Sequence, residues 1–164
     1  MSKIKNEANL HEREVDINRA AIEHRATWMG LIFDELQKAG VANAEEICRK
    51  AIKRCGNMHG DGYRAACGAS TDCRTFREQF LPPLSQKTFE MDVAATENDV
   101  DITFRYCPLV SAWQKLGFDD ETCALLCDIA MDGDRGIAQS NSLRFELGDT
   151  IGQGNDVCRL RLSR

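Results

Sequence analysis

Three of the eight cysteines in this 164-residue chain occupy positions where a thiol can do more than pack. Cys107 lies in YCPLVSAWQKLG, residues 106–117, directly ahead of a helical pattern. Pro108 suits the first helical position because it has no N–H to leave unpaired. Leu109, Val110, Trp113 and Leu116 form one apolar stripe, and Gly117 ends it. Cys107 is thereby expected at the N-cap. There, free backbone N–H groups and the positive end of the helix dipole favour a thiolate. The same position also suits a buried structural cysteine.

Cys123 and Cys127 stand four apart on the next helix and share a face. Cys123 belongs to a core stripe with Leu126 and Ile129. Cys127 opens CDIAMDGDRG, with Asp128, Asp132 and Asp134 just beyond. Carboxylates at a helix C-terminus oppose its dipole, so a ligand, a metal or solvent must favour them. For Asp128 and Asp132, solvent is the ordinary answer. Cys158 points inward by strand parity, the usual position of a packed cysteine. His59 lies in NMHGDG, which reads as a glycine-rich loop and a better place for function than a helix interior. His24 falls on an apolar helical stripe as a core histidine, and His11 in a tail. Cys48, Cys55, Cys67 and Cys73 lack the close spacing of a metal knuckle. No phosphate loop, dinucleotide fingerprint or nucleophile-elbow serine is present.

The elements that must position these groups follow from periodicity. Residues 14–39 carry Ile17, Ala21, His24, Trp28, Leu31, Ile32 and Leu36 at helical spacing, with Gly40 as the stop. Asn43 and Glu46 form a capping-box pattern opening a second helix through about residue 54. The loop CGNMHGDG follows. A third helical stretch, residues 63–81, ends at Pro82-Pro83. The pattern then alternates. Phe89, Met91, Val93 and Ala95, then Val100, Ile102, Phe104 and Tyr106, describe a hairpin with one apolar face. Leu143, Phe145 and Leu147, then Cys158, Leu160 and Leu162, describe another, turning at Gly152 and Gly154. Two helices, about 108–116 and 120–131, lie between the hairpins. The expected fold is one α+β domain over residues 1–164: a helical part, 1–84, then a four-stranded antiparallel sheet of two hairpins with helices on one face, 85–164.

Composition narrows the function classes. Apolar residues make up 43% and charged residues 29%, a globular balance. A net charge of −5 leaves no electrostatic footprint for nucleic acid or anionic membranes. No apolar run approaches the roughly 20 residues of a membrane span. The polar start, MSKIKNEANLHEREVD, lacks the apolar core of a secretory signal. The expectation is a cytoplasmic protein with reduced thiols and a small-molecule substrate, possible as a homo-oligomer.

The ordered segments YCPLVSAWQKLG, LLCDIAMDGDRGIAQ and LRFELGDTIGQGNDVCRLRL resemble the L-2-amino-thiazoline-4-carboxylic acid hydrolase family. The shared pattern is Cys-Pro before an aromatic-bearing helix, a second Cys before Asp, and Gly154-Asn155-Asp156-Val157-Cys158 leading into the last strand. It covers roughly residues 85–164. The resemblance implies a hydrolase of carbon–nitrogen or carbon–sulfur bonds in a small cyclic amidine. In the namesake reaction the thiazoline ring opens to an N-carbamoyl-cysteine. The family pattern falls on Cys107, Cys127, Asp134 and Cys158. Two mechanisms fit these residue types. Cys107 can attack as a thiolate, or a metal such as zinc on Cys107, Cys127 and Cys158 can hold the attacking water. Asp134 can hold the amidinium or move protons, and His59 can serve as base. Arg105 or Arg135 can grip a substrate carboxylate as a fork, with Asn141 a further substrate contact. The closing hairpin is also similar to 4-vinyl-reductase-type domains, which implies the alternative of a small-molecule or metal-binding sensor.

Overall fold

In the computed structural model, which describes residues 2–164, a segment without regular structure, residues 2–12, leads into α1 (Arg13–Lys38). This helix is apolar on two faces, and the buried one is not the stripe that periodicity marks. Val15, Arg19, Ile22, Ala26, Gly30 and Phe33 face inward. Ile17, Trp28, Leu31 and Ile32 face solvent. His24 is likewise exposed, edge-on to Trp28 rather than in the core. Small residues decide the matter. Gly30 lets the Trp113 and Phe118 rings come to within 3.0 Å of where its Cβ would be. Trp113 Nε1–H donates to the Ala26 carbonyl at 3.0 Å.

Helix α2 (Ala44–Cys67) runs unbroken through CGNMHGDG, so the expected loop is helix. Its glycines serve a close helix crossing. A Cβ on Gly56 would lie 2.1 Å from the Gly133 carbonyl oxygen, and one on Gly60 2.8 Å from Ser140 Cβ. The partner helix contributes Gly136, whose Cβ would lie 2.5 Å from the Lys53 carbonyl oxygen. Backbone meets backbone there, which tertiary packing rewards enough to override the low helix propensity of glycine. Asn43 precedes α2, but its side chain makes no cap hydrogen bond. Glu46, the other half of the expected capping box, is instead paired with Lys50 at 2.6 Å.

The third helical stretch is divided. Gly68, at φ +60°, ends α2, and the Asp72 carboxylate caps α3 (Cys73–Phe80) by accepting the Arg74 N–H at 2.8 Å. Proline then starts a helix as well as stopping one: Pro83 opens α4 (Pro83–Thr88).

The sheet is the expected one. Strands β1 (Met91–Ala95), β2 (Asp99–Phe104), β3 (Arg144–Leu147) and β4 (Cys158–Ser163) lie in the order β1-β2-β4-β3, all antiparallel. Val100, Ile102 and Phe104 sit opposite Leu162, Leu160 and Cys158, and all six are buried. Burying a large aliphatic side chain of this kind stabilises by roughly 1.5–3 kcal/mol. The outer face carries charge, with Arg161 paired to Asp99 and Asp101.

Three helices separate the hairpins rather than two: α5 (Pro108–Lys115), α6 (Asp120–Ala130) and α7 (Asp132–Ser140). The unforeseen α7 resolves the acidic cluster. Asp132 and Asp134 stand in its first turn, where the dipole favours them. Asp128 and Asp132 are not merely solvated. Arg49 of α2 bonds to both, at 2.7 and 3.1 Å, and Arg135 bonds to both from the other side.

Candidate functional site

Cys107 occupies the N-cap of α5, with Pro108 in the first position, as the motif predicts. It is buried, however, and that reverses the expected electrostatics. Burial pushes its thiol well above the ordinary range, and the neighbouring Cys158 and Cys127 push it further. The N–H groups of Val110 and Leu109 oppose the shift without cancelling it. Helix-end stabilisation of about 1 kcal/mol is small beside the cost of an unpaired buried charge.

The other two sulfurs come from α6 and β4. The loop joining β3 to β4, with a 3-10 turn at Ile151–Gln153, folds across them. Ile151 N–H donates to Cys158 Sγ at 3.1 Å. Cys127 is raised by burial but stabilised by the Thr150 hydroxyl and the Gly152 N–H. Burial pushes Cys158 up to about 12, despite the Ile151 N–H. Gly152 is required by this contact, since a Cβ there would lie 2.6 Å from Cys127 Cβ. All three thiols are therefore neutral at pH 7, Cys107 with two backbone N–H groups beside its sulfur and Cys127 and Cys158 with one each.

Asp134 is the charged member of this interior. It acts electrostatically on Cys127, Cys158 and Tyr63. Its side chain is deeply surrounded by protein yet keeps part of its surface open to solvent. Among the described residues it has no hydrogen-bond or ion-pair partner on another side chain. Burial raises its carboxyl to about 6, against the pull of its own N–H, Arg135 and Arg25. The linkage follows from the sign. The folded state binds this proton more tightly than the unfolded chain. The stabilisation is complete below the unfolded value of 3.8 and is lost as pH rises through about 6. Asp134→Asn should accordingly stabilise the protein by about 1–2 kcal/mol at pH 7.5 in urea unfolding, with the gain shrinking toward pH 4. An equal gain at both pH values would refute this account of the carboxylate.

A strap of chain, residues 2–10, closes over Cys107. Asn6 takes both sides of the cysteine's backbone: its Oδ1 accepts the Cys107 N–H at 2.9 Å, and its Nδ2–H donates to the Cys107 carbonyl at 2.8 Å. Ile4 is buried beside it, and its carbonyl accepts from Gln114. At one end Ser2 and Lys3 bond to Asp120 at the start of α6, both at 2.6 Å. At the other, the N–H groups of Asn9 and Leu10 donate to Glu90. Burial opposes the charge of Glu90, but these donors, the Asn9 side chain and Arg19 together hold its carboxyl below the usual range. Arg19 is itself buried, pairs with Glu90 at 3.0 Å and stacks over the Tyr106 ring, 4.5 Å from its centroid. None of Asn6, Thr150, Arg19 or Glu90 stood out in the sequence. The available signal was Arg19 itself, a charge on the face of α1 that its small and aliphatic neighbours bury.

The remaining candidates lie apart from the sulfurs. His59 is exposed on α2, 4.0 Å from Cys55 on the same helix face and not in a loop. Arg105 is exposed and paired with Asp92. Arg135 is held by Asp128 and Asp132. Asn141 Nδ2–H donates to the carbonyls of Gly60 and Ile137, closing α7 onto α2. Each of these side chains already has a structural partner. Among the described residues, no group of three or more His, Cys, Asp or Glu is arranged to hold a metal ion. No helix is long and apolar enough to cross a membrane among the described residues.

The comparisons bear on this arrangement. A search of curated proteins gives no match to the sequence. Among solved structures, a trafficking protein particle complex subunit 3 from Naegleria fowleri, covalently bound to palmitic acid, superposes with a TM-score of 0.52. The two are 13% identical, over 85% of this chain and 94% of that one, a likeness of fold alone. The family model for L-2-amino-thiazoline-4-carboxylic acid hydrolase matches residues 19–162, well beyond the C-terminal half that carries the recognisable motifs. Its name describes a hydrolase of a thiazoline carboxylic acid, and by that match this chain belongs to the L-2-amino-thiazoline-4-carboxylic acid hydrolase family.

Proposed function

We propose that this protein opens the ring of a small cyclic amidine of the thiazoline class, with Cys107 as nucleophile and Asp134 moving the protons. One observation carries the reading. Cys127 and Cys158 both act on the Cys107 thiol, Asp134 acts on Cys127 and Cys158, and the first N–H groups of α5 bond to Cys107.

The ring carbon between sulfur and two nitrogens is electrophilic once the amidine is protonated. Cys107 begins as a neutral thiol, so attack requires loss of its proton as the bond forms. A carboxylate titrating near 6 is ionised at neutral pH and basic enough to receive that proton. The Cys107 sulfur–carbon bond forms, the ring carbon–sulfur bond breaks, and the proton passes to the departing ring sulfur. The product of this half-reaction is an isothiourea on Cys107. Water then adds to the same carbon and Cys107 leaves as the thiol. The result is a urea with a free thiol, one water consumed overall. The N–H groups of Leu109 and Val110 stabilise charge on Cys107 in both half-reactions. Arg25, which acts on Asp134 and has no ion-pair partner among the described residues, is the fork available for a substrate carboxylate. The strap over Cys107 must lift for the substrate to reach the sulfur.

The test is 2-amino-thiazoline-4-carboxylate itself, given to the protein with and without a chelator and quenched in acid. Peptide mass spectrometry should find the substrate's mass added to the Cys107 peptide, and the free-thiol urea should accumulate equally in both samples. Turnover abolished by the chelator, with no adduct, would replace the thiol mechanism by a metal one. Tight binding without turnover would replace the enzyme by a sensor.

A further inference from the structure

The outer face of α1 is more apolar than an isolated domain needs. Ile17, Ala21, His24, Trp28 and Leu31 recur at alternating spacings of four and three, the seam of a helix that packs against another helix. Ile32 widens that seam. Ile17 is 61% exposed, Trp28 62%, Leu31 42% and Ile32 57%. The inner face of α1 is fully used by the fold, through α5, α4 and α2. We propose that this outer face is the interface of a homodimer in which two copies of α1 pack antiparallel.

Three properties of the face select a second copy as the occupant. The first is area. Covering the four large side chains removes about 350 Å² of apolar surface per chain, or about 700 Å² for the pair. With the flanking Arg13, Ala20, Ala21, His24, Glu35 and Lys38, the total approaches the roughly 1,200 Å² of the smaller stable interfaces. The second is shape. A two-fold axis through His24 sets Ile17 against Leu31 and the bulky Trp28 against the small Ala20 of the other copy. A parallel pairing would instead stack Trp28 on Trp28. The third is charge. The same axis brings Arg13 opposite Glu35 twice, at the two ends of the contact. Arg13 has no ion-pair partner within its own chain among the described residues. Glu35 has only an exposed contact with Lys38 at 3.3 Å, which is easily exchanged. Mixed charges flanking the stripe, in a chain of net charge −5, suit self-association and not an anionic lipid surface.

Sedimentation equilibrium of the full chain between 1 and 100 µM should give twice the chain mass. Leu31→Glu alters a side chain that is already exposed, so the fold should persist by circular dichroism while dimerisation weakens at least ~30-fold, about 2 kcal/mol. Arg13→Glu and Glu35→Arg should each weaken the dimer, and the double exchange should restore it, which a parallel dimer would not do. A chain that stays monomeric at 100 µM would overturn the proposal. So would a dimer indifferent to Leu31→Glu, or a monomer that instead floats with phosphatidylcholine vesicles.

Discussion

Replacing Cys107 with serine should lower ring opening by about a thousandfold or more, while circular dichroism and urea unfolding stay close to wild type. The substitution keeps the shape of the side chain and the N–H donors of α5. It exchanges a thiol for a hydroxyl that holds its proton far more tightly. Burial already raises the thiol well above its ordinary range, so the proposed mechanism calls for proton transfer to Asp134 during attack. A hydroxyl moves that transfer out of reach of a base titrating near 6. Cys123→Ala is the matched control. Cys123 is buried on the same helix as Cys127, with its thiol pushed up to about 11 by burial, and its sulfur lies 3.9 Å from the Phe118 carbonyl. That substitution should cost about 1 kcal/mol of stability through a small cavity and leave the rate within about twofold. Near-normal turnover by the serine variant would remove the proposed nucleophile, and inactivity of a folded Cys123→Ala protein would show that its face of the helix serves the site and not only the core.

The largest effect on stability is expected at Gly56. Its Cβ position is 2.1 Å from the Gly133 carbonyl oxygen and 2.8 Å from the Gly133 Cα. Both are backbone atoms of the facing helix and cannot rotate aside. Gly56→Ala must push α7 off α2 and strain the hydrogen bonds from Asn141 and Ser140 that tie the pair together. Overpacking costs up to about 3 kcal/mol, and removing a helix-interior glycine returns about 1 kcal/mol. A net loss of about 2 kcal/mol in urea unfolding is the expected result. Gly62 lies on the same helix with nothing within 4 Å of its Cβ position, so Gly62→Ala should show the propensity term alone, a gain of up to about 1 kcal/mol. Two alanines six residues apart with opposite signs would be the signature of a backbone-to-backbone crossing. Both stabilising, or both neutral, would contradict it.

These two regions show what was legible before any coordinates. The sheet was readable because period-two alternation has one solution when one face is buried, and Cys158 followed from its parity with Leu160 and Leu162. The N-cap position of Cys107 was readable because proline and glycine bracket α5. Helix α7 was hidden by two glycines, and α2 was cut short by three, since local propensity counts glycine as a break and only the partner helix explains its use. The inner face of α1 was misassigned because both faces are apolar, and the choice rests with Gly30 and its contact to Trp113. Within the candidate site, the identities of Cys107, Cys127, Cys158 and Asp134 came from ordered motifs. Their burial, and the weaker acidity that follows from it, did not. The cover over Cys107 comes in part from Asn6, in an N-terminal segment that carries no motif.

The clamp of Asn6 on Cys107 spans 101 positions of sequence. On a ribosome, Asn6 has nothing to grip until the hundred residues that follow it have been made and arranged. Closing so long a loop carries an entropic cost that only a nearly finished interior can offset. The cysteine at the mouth of α5 is therefore expected to be sealed late, after the sheet and the helix pair have set, with its sulfur bare in the nascent chain until then.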